Sequence, residues 1–205
     1  TLLIPTLNEI VGLQQIMPLI RREWVDQILF VDGGSTDGTL SYLKENGWEF
    51  IVQKRKGIRH AYIEALPHIR GDVLITFSPD GNSVPDLIPH LIAKYREGYD
   101  MVIASRYAEG AKSEDDDWIT SFGNWLFTFL INLLHKGNYT DAMVMYRIYA
   151  TRLLHELDID KDSSYQTEEK LFRTTVGCEP LISIRAAKRK LKCADIPGDE
   201  PARIG

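Results

Sequence analysis

Strand-like and helix-like segments alternate through the first hundred residues, and this alternation restricts the fold more than any other feature of the chain. Short apolar runs at Leu2 to Ile4, Ile28 to Val31, Glu49 to Val52, Val73 to Phe77 and Met101 to Ala104 read as buried strands. Asn8 is placed to cap a first helix carrying Ile10, Leu13, Met17, Ile20 and Trp24 at helical spacing. Further helices are expected up to Glu45, from Ile58 to His68 and from Asp86 to Glu97. Strand-helix-strand units of this kind build a mostly parallel α/β sheet with helices on its faces. No repeat or low-complexity linker divides the 205 residues, so one domain is expected.

Open parallel sheets bind ligands beyond the carboxyl ends of their strands. Three such ends carry polar, glycine-bearing turns, after Ile4, Val31 and Phe77. In the second, Asp32-Gly33-Gly34-Ser35-Thr36-Asp37-Gly38-Thr39, the carboxylates Asp32 and Asp37 can accept hydrogen bonds from a nucleoside while the glycines admit close backbone approach. The turn lacks the GxxxxGK of a phosphate loop and is acidic. Phosphate charge must therefore be met by a metal or by the basic residues Lys54, Lys56, Arg59 and Arg106. In the third turn Ser78, Asp80 and Asn82 alternate, so on extended chain their oxygens point the same way. A divalent cation, Mg²⁺ or Mn²⁺, held by one or two carboxylates completes its shell with water and substrate phosphates. Taken alone, the same residues also describe an ordinary turn.

A net charge of -5 argues against a general nucleic-acid binder. Cys178 and Cys193 form neither a CxxC pair nor a disulfide framework, which suits a reducing, cytoplasmic compartment. No signal peptide and no membrane-spanning apolar run is evident. The chain opens at Thr1 in what reads as strand and stops after Arg203-Ile204-Gly205, so both ends are expected to be trimmed relative to the natural product, with a membrane segment beyond Gly205 left open.

Pro5-Thr6-Leu7-Asn8-Glu9, Val31 to Thr39, Lys56-Gly57 and Ser78-Pro79-Asp80-Gly81 resemble the successive motifs of family 2 inverting glycosyltransferases of the GT-A fold. Ser105-Arg106-Tyr107, Tyr139 to Arg147, Tyr165 to Glu168 and Ile196-Pro197 with Arg203 are similar to the dolichyl-phosphate mannose synthase branch. The resemblance implies a Rossmann-like catalytic domain with a nucleotide-binding half to about residue 107 and an acceptor half from 108 to 205. It implies that Pro5, Glu9, Asp32 and Asp37 hold the nucleoside, that Asp80 and Asn82 bind the metal, and that Asp141 and Arg147 lie near the reacting sugar and phosphate. Gln166 and Glu168 would line the acceptor side, and Arg203 would meet phosphate. The implied donor is a UDP- or GDP-linked sugar, the acceptor a polyprenyl phosphate or other lipid-linked or envelope glycan. Two departures stand out: Ser78 replaces the first Asp of the DxD motif and Gly33 the second Asp of the DDGS turn. Met143-Val144-Met145 also replaces residues that are often small, which affects sugar choice.

A hydroxyl acceptor needs a carboxylate base, for which Asp141 and Glu168 are the candidates; an anionic phosphate acceptor needs none. Residues 121 to 135, read as a helix, carry a narrow polar stripe of Ser121, Asn124, Thr128, Asn132 and His135 on an otherwise apolar cylinder. Core, dimer contact and membrane-surface contact all fit that pattern, the last implying peripheral attachment at the inner face of a membrane. The preceding acidic run, Glu114 to Asp117, is a solvated loop or a flap over the donor. Two other classes share parts of the pattern: a non-catalytic nucleotide-sugar-binding module, and a nucleotidyltransferase, whose Gly-rich basic opening loop is absent here.

Overall fold

The computed structural model describes residues 1–173 and 176–204; the side chains of Glu168, Leu171 and Phe172 lie outside the described set. Seven strands form one sheet: β1 (Leu2–Thr6), β2 (Ile28–Asp32), β3 (Glu49–Val52), β4 (Val73–Thr76), β5 (Met101–Ser105), β6 (Arg147–Ala150) and β7 (Cys193–Pro197). Their spatial order is β3-β2-β1-β4-β6-β5-β7. Every pairing is parallel except those of β6, which runs antiparallel between β4 and β5, with Ile75 and Val102 both opposite Ile148.

The strands are apolar at nearly every position because both faces are covered. Alternate residues serve opposite faces. Leu2, Ile4, Phe30, Ile75, Val102 and Ile148 pack under α1 (Ile10–Ile16), α2 (Thr39–Glu45) and α4 (Leu87–Tyr95), whereas Leu3, Leu29, Val31, Leu74, Ile103 and Tyr149 pack under the other helices. That second layer comprises α3 (Ile58–Ala65), α5 (Trp118–His135), α6 (Leu153–Glu156) and α8 (Cys178–Lys188), with α7 (Gln166–Phe172) beside α3 through the Arg59–Glu169 pair.

The first helix is shorter than its periodicity predicts. It ends at Ile16, Pro18 sits inside a single 3₁₀ turn (Met17–Leu19), and Ile20 is already extended. Asn8 does not cap it: Glu9 holds that position, while Asn8 adopts φ 59° and its Oδ1 accepts from the Thr36 amide at 2.9 Å. The third helix likewise ends at Ala65, with Leu66–His68 as a 3₁₀ turn.

The core reading of α5 is corrected. The helix exists, but its polar stripe faces inward: Asn124 and Thr128 are buried, and Asn132 exchanges hydrogen bonds with both Tyr139 backbone groups at 2.8 and 3.0 Å. Ile131 and Phe127 join the core, but most of its large apolar side chains face out, with Trp118 79% and Leu134 68% exposed, and Phe122, Trp125 and Phe129 stack successively along the outside. Among the described residues no helix is long and apolar enough to cross a membrane.

Candidate active site

The carboxyl ends of β1, β2, β4 and β5 and the start of β6 meet at one edge of the sheet, and two adjoining clefts open there. One, of about 440 Å³, runs from Pro5, Leu7 and Glu9 over Val31, Gly33 and Gly34 to Gln53, Lys56 and Ile58. The other, of about 300 Å³, is lined by Asp80, Asn82, Arg106, Val144, Glu200 and Arg203. Ser78 and Met145 belong to both and mark where a ligand spanning the two would pass. A third opening of about 400 Å³ joins Glu9, Asp37, Asp80 and Arg203.

The turn after β2 is fixed by its own carboxylates. Asp32 is fully buried; its Oδ1 accepts from the Gly34 and Ser35 amides at 2.8 Å each, its Oδ2 from Ser35 Oγ at 2.6 Å and Thr6 Oγ1 at 3.1 Å. Asp37 accepts from the amides of Thr39 and Ile10, both at 3.0 Å, joining this turn to α1. Desolvation opposes ionisation of Asp37, but these amides outweigh it and hold the carboxyl below its ordinary value. Burial, reinforced by Asp80, pushes the Glu9 carboxyl above its ordinary value.

The turn after β4 is less completely bonded. Asp80 Oδ1 accepts from the Asn82 amide at 3.1 Å, and Asp80 Oδ2 lies 3.8 Å from Arg203 Nε. Asn82 Oδ1 is buried and has no hydrogen-bond partner. The main chain folds back over the loop: the Ile204 amide donates to Asp80 O at 2.7 Å, and Gly81 has φ 94° with no room for a Cβ, which would meet Ile204 Cγ1 at 2.8 Å. Among the described residues no three His, Cys, Asp or Glu side chains form a metal cluster. The donor set of Asp80 and Asn82 nonetheless fits a hard cation that takes most of its shell from phosphates and water, and the orphaned Asn82 oxygen is an acceptor awaiting such a partner.

Behind the second cleft lies a buried ionic network. Arg106 Nε donates to Asp141 Oδ2 at 2.7 Å, and Arg106 Nη1 reaches Asp116 and Glu200, both at 3.3 Å. Asp141, fully buried, also accepts from Asn124 Nδ2 at 2.9 Å and from the Met143 and Val144 amides at 3.1 and 3.2 Å. Burial works against its charge, yet Arg106 and Asn124 hold it below the ordinary carboxylate range. Burial works against Arg106 too, but Asp141, Glu200 and Asp116 keep it firmly protonated. Glu200 is raised by desolvation despite Ser113 and Arg106.

Pro5, Glu9, Lys56, Ser78, Asp80, Asn82, Arg106 and Arg203 thus face the clefts, Asp37 borders the third opening, and Asp32 and Asp141 stand enclosed beside them. Three expected residues are placed elsewhere. Arg147 is buried in the core, donating to Val144 O at 2.9 Å and Ser183 Oγ at 3.0 Å, because its strand runs antiparallel and turns this side chain under α8. Arg59 pairs with Glu169 and lies over the Tyr165 ring at 4.4 Å rather than reaching the nucleotide cleft. Gln166 is exposed at the start of α7 and lines none of these openings. The Glu168 side chain lies outside the described residues.

Glu200, Asp116, Asn124 and Gln53 were not anticipated as site residues. Asn124 was visible only as part of a polar helical stripe, and Glu200 only as an acidic residue near Arg203. The acidic run is exposed at Glu114, Asp115 and Asp117, as a solvated loop would be, but its start is pinned through the main chain. The Glu114 amide donates to Glu200 O at 2.8 Å, the Glu200 amide to Lys112 O at 2.9 Å, and Ser113 Oγ to Glu200 Oε2 at 2.5 Å.

A mostly parallel sheet with one inserted antiparallel strand and a shared two-cleft edge is the GT-A architecture. Structures of glucosyl-3-phosphoglycerate synthase from Mycobacterium tuberculosis, one with Mn²⁺, UDP and glucosyl-3-phosphoglycerate and one with Mn²⁺, UDP and phosphoglyceric acid, superpose with TM-scores of 0.64 and 0.66 at 18% identity. The likeness covers 100% of this chain and 71% and 70% of theirs. The model for glycosyl transferase family 2 matches residues 1–158, and the chain belongs to that family.

Three curated relatives are similar along the sequence. Glycosyltransferase AglJ of Haloferax volcanii is 26% identical over 96% of this chain, and undecaprenyl-phosphate 4-deoxy-4-formamido-L-arabinose transferase of Enterobacter is 28% identical over 75%. Dolichol-phosphate mannosyltransferase of Pyrococcus furiosus is 31% identical over 67%. The chain spans only 61%, 49% and 38% of their respective lengths.

Proposed function

We propose that this chain is the catalytic domain of an inverting glycosyltransferase that moves a sugar from a nucleoside-diphosphate donor to a polyprenyl phosphate at a membrane surface. The donor base and ribose would occupy the cleft between Pro5 and Lys56, with Glu9 and Asp37 at its edge. The diphosphate would pass Ser78 toward Asp80, Asn82 and Arg203. A divalent cation held by Asp80 and Asn82 would supply Lewis-acid stabilisation of the leaving diphosphate. Nucleotide chemistry would thus fall to residues 1 to 107 and acceptor chemistry to 108 to 205, within one domain.

The observation that carries the acceptor assignment is the inverted helix α5. Its polar side secures Asp141, which in turn orients Arg106, while its aromatic and aliphatic side faces solvent. One element therefore joins an exposed apolar surface to a cationic cleft, which is the combination a lipid-linked anion requires. An acceptor phosphate is already anionic, so no base is needed. Asp141 suits that chemistry: ionised, enclosed and bonded on both oxygens, it is built to hold Arg106 rather than to take a proton. The relatives named for undecaprenyl and dolichol phosphate support the same acceptor class. Several large side chains entering the acyl boundary would contribute on the order of 1.5 to 3 kcal/mol each at most, enough for reversible, peripheral association.

Liposome flotation of the wild type against the double variant Trp125→Glu, Phe129→Glu tests this reading. The wild type is expected to float and to transfer sugar to a polyprenyl phosphate, while the variant, with unchanged circular dichroism, stays in solution. Equal failure to float, with a soluble sugar alcohol glycosylated as well as the lipid phosphate, would refute it.

A further inference from the structure

Ser78 leaves the loop after β4 one carboxylate short, and the acidic loop brings one from the opposite side. Asp115 Oδ2 lies 3.0 Å from Asn82 Nδ2 and 3.0 Å from Arg203 Nε. The same Arg203 nitrogen is 3.8 Å from Asp80 Oδ2. A single cationic nitrogen therefore stands between two carboxylates, one from each loop. Beside them sits Asn82 Oδ1, a buried acceptor that no donor satisfies. An oxygen left in that state costs free energy until a donor or a cation reaches it.

Asp115 is also held in place rather than swept in by chance. Its neighbour Glu114 is fixed by the Glu200 carbonyl, and Asp116 on its other side by Arg106 and Ser113 Oγ. Glu200 is the other carboxylate within reach, 3.5 Å from Asn82 Nδ2, but its oxygens are committed to Arg106 and Ser113. Asp115 has no such commitment except to Asn82 and Arg203.

We propose that Asp115 is the second carboxylate ligand of the divalent cation at Asp80 and Asn82, replacing the one that Ser78 cannot provide, and that Arg203 occupies the cation's place until it binds. The proposal rests on the cation assignment above and adds a ligand to it. Magnesium draws its oxygens to about 2.0 to 2.1 Å, closer than a guanidinium does, so exchange pulls the two loops together. It also releases Arg203, which is then free to meet the diphosphate entering beside it. The site gains its charge from the far wall of the cleft, so the cation would close the acidic loop over the donor as it binds.

Mn²⁺ titration followed by electron paramagnetic resonance, with and without UDP, tests this on the whole chain. Asp115→Asn is expected to weaken Mn²⁺ binding by more than about tenfold, while metal-free UDP binding is retained or tightened because Arg203 is no longer held by Asp115. Adding Ser78→Asp to that variant should restore affinity to near the wild-type level, which a merely structural role for Asp115 would not allow. Arg203→Ala should tighten Mn²⁺ binding in the absence of UDP. Wild-type Mn²⁺ affinity in Asp115→Asn, with binding lost in Asp80→Asn, would overturn the Asp115 assignment and leave the cation site standing. Weakening that Ser78→Asp fails to rescue would overturn it as well. A wild-type chain that binds UDP but takes up no Mn²⁺ would overturn both assignments.

Discussion

The turns after β2 and β4 both draw on Asp, Gly and Ser, yet they do opposite work. Around Asp32 every carboxylate lone pair is answered from within the chain, by two amides and two hydroxyls. Around Asp80 the carboxylate accepts one amide, faces one distant guanidinium, and has an unanswered amide oxygen beside it. Acidic, glycine-rich turns therefore do not announce their role by composition. The saturated one shapes the wall of the cleft, and the unsaturated one is left with capacity for a ligand.

The largest expected effect comes from exchanging the two aspartates for alanine. Asp32→Ala strands four donors near the core and should cost about 3 kcal/mol or more in urea unfolding, since each abandoned buried group costs roughly 1–3 kcal/mol. Asp80→Ala should cost less than about 1 kcal/mol and abolish sugar transfer. If the two stability losses came out equal, the distinction between a structural and a ligand-facing turn would be gone.

A smaller effect separates two glycines with nearly the same backbone. Gly34 and Gly81 have φ of 95° and 94°, but a Cβ on Gly34 meets open space whereas one on Gly81 strikes Ile204. Gly34→Ala should cost about 1 kcal/mol from backbone strain alone. Gly81→Ala should cost more and also loosen the segment around Arg203, visible as faster amide exchange at Ile204. Equal costs would mean that the C-terminal segment is not held against the cation loop.

The smallest effect is in titration. Carboxyl resonances should place Glu9 above its ordinary pKa and Asp37 below it. The signs then follow from linkage. Stability contributed by Asp37 is present above its unfolded pKa and is lost as pH falls through its lower folded value. Glu9 behaves conversely, since the folded state binds its proton more tightly and gains stability as pH falls through the raised value. A Glu9 pKa at or below its ordinary value would show that burial and Asp80 do not act on it as the geometry requires.

Much of the sheet was legible because parallel strands covered on both faces are nearly continuous apolar runs, and β3 appears with the bounds its sequence implies. The first helix was overextended because periodicity continues through Pro18 while the backbone cannot. Cleft residues on strand-end turns, Pro5, Glu9, Ser78, Asp80 and Asn82, could be read because topology alone delivers them to one edge. Arg59 and Arg147 could not, since a basic residue next to a motif gives no sign of which partner it will meet once helices pack. The same limit hid Glu200 and Asp115, whose partners lie far away in the sequence. The direction of the polar stripe on α5 was also unreadable, because an amphipathic pattern fixes that two faces differ and not which one meets the protein.

The placement of β6 has a consequence for how this chain can be made and cut. In the sheet β5 touches only β6 and β7, so the last strand of the first 107 residues has no partner until residues 147–150 and 193–197 arrive. The conceptual border near residue 107 is therefore not a seam. A ribosome that has delivered residues 1–107 has delivered a sheet with its last strand unattached, and pairing of such high sequence separation closes slowly. The clefts at this edge are completed in one late step, which makes residues 1–107 a poor candidate for transplantation into chimeric enzymes unless β6 and β7 travel with them.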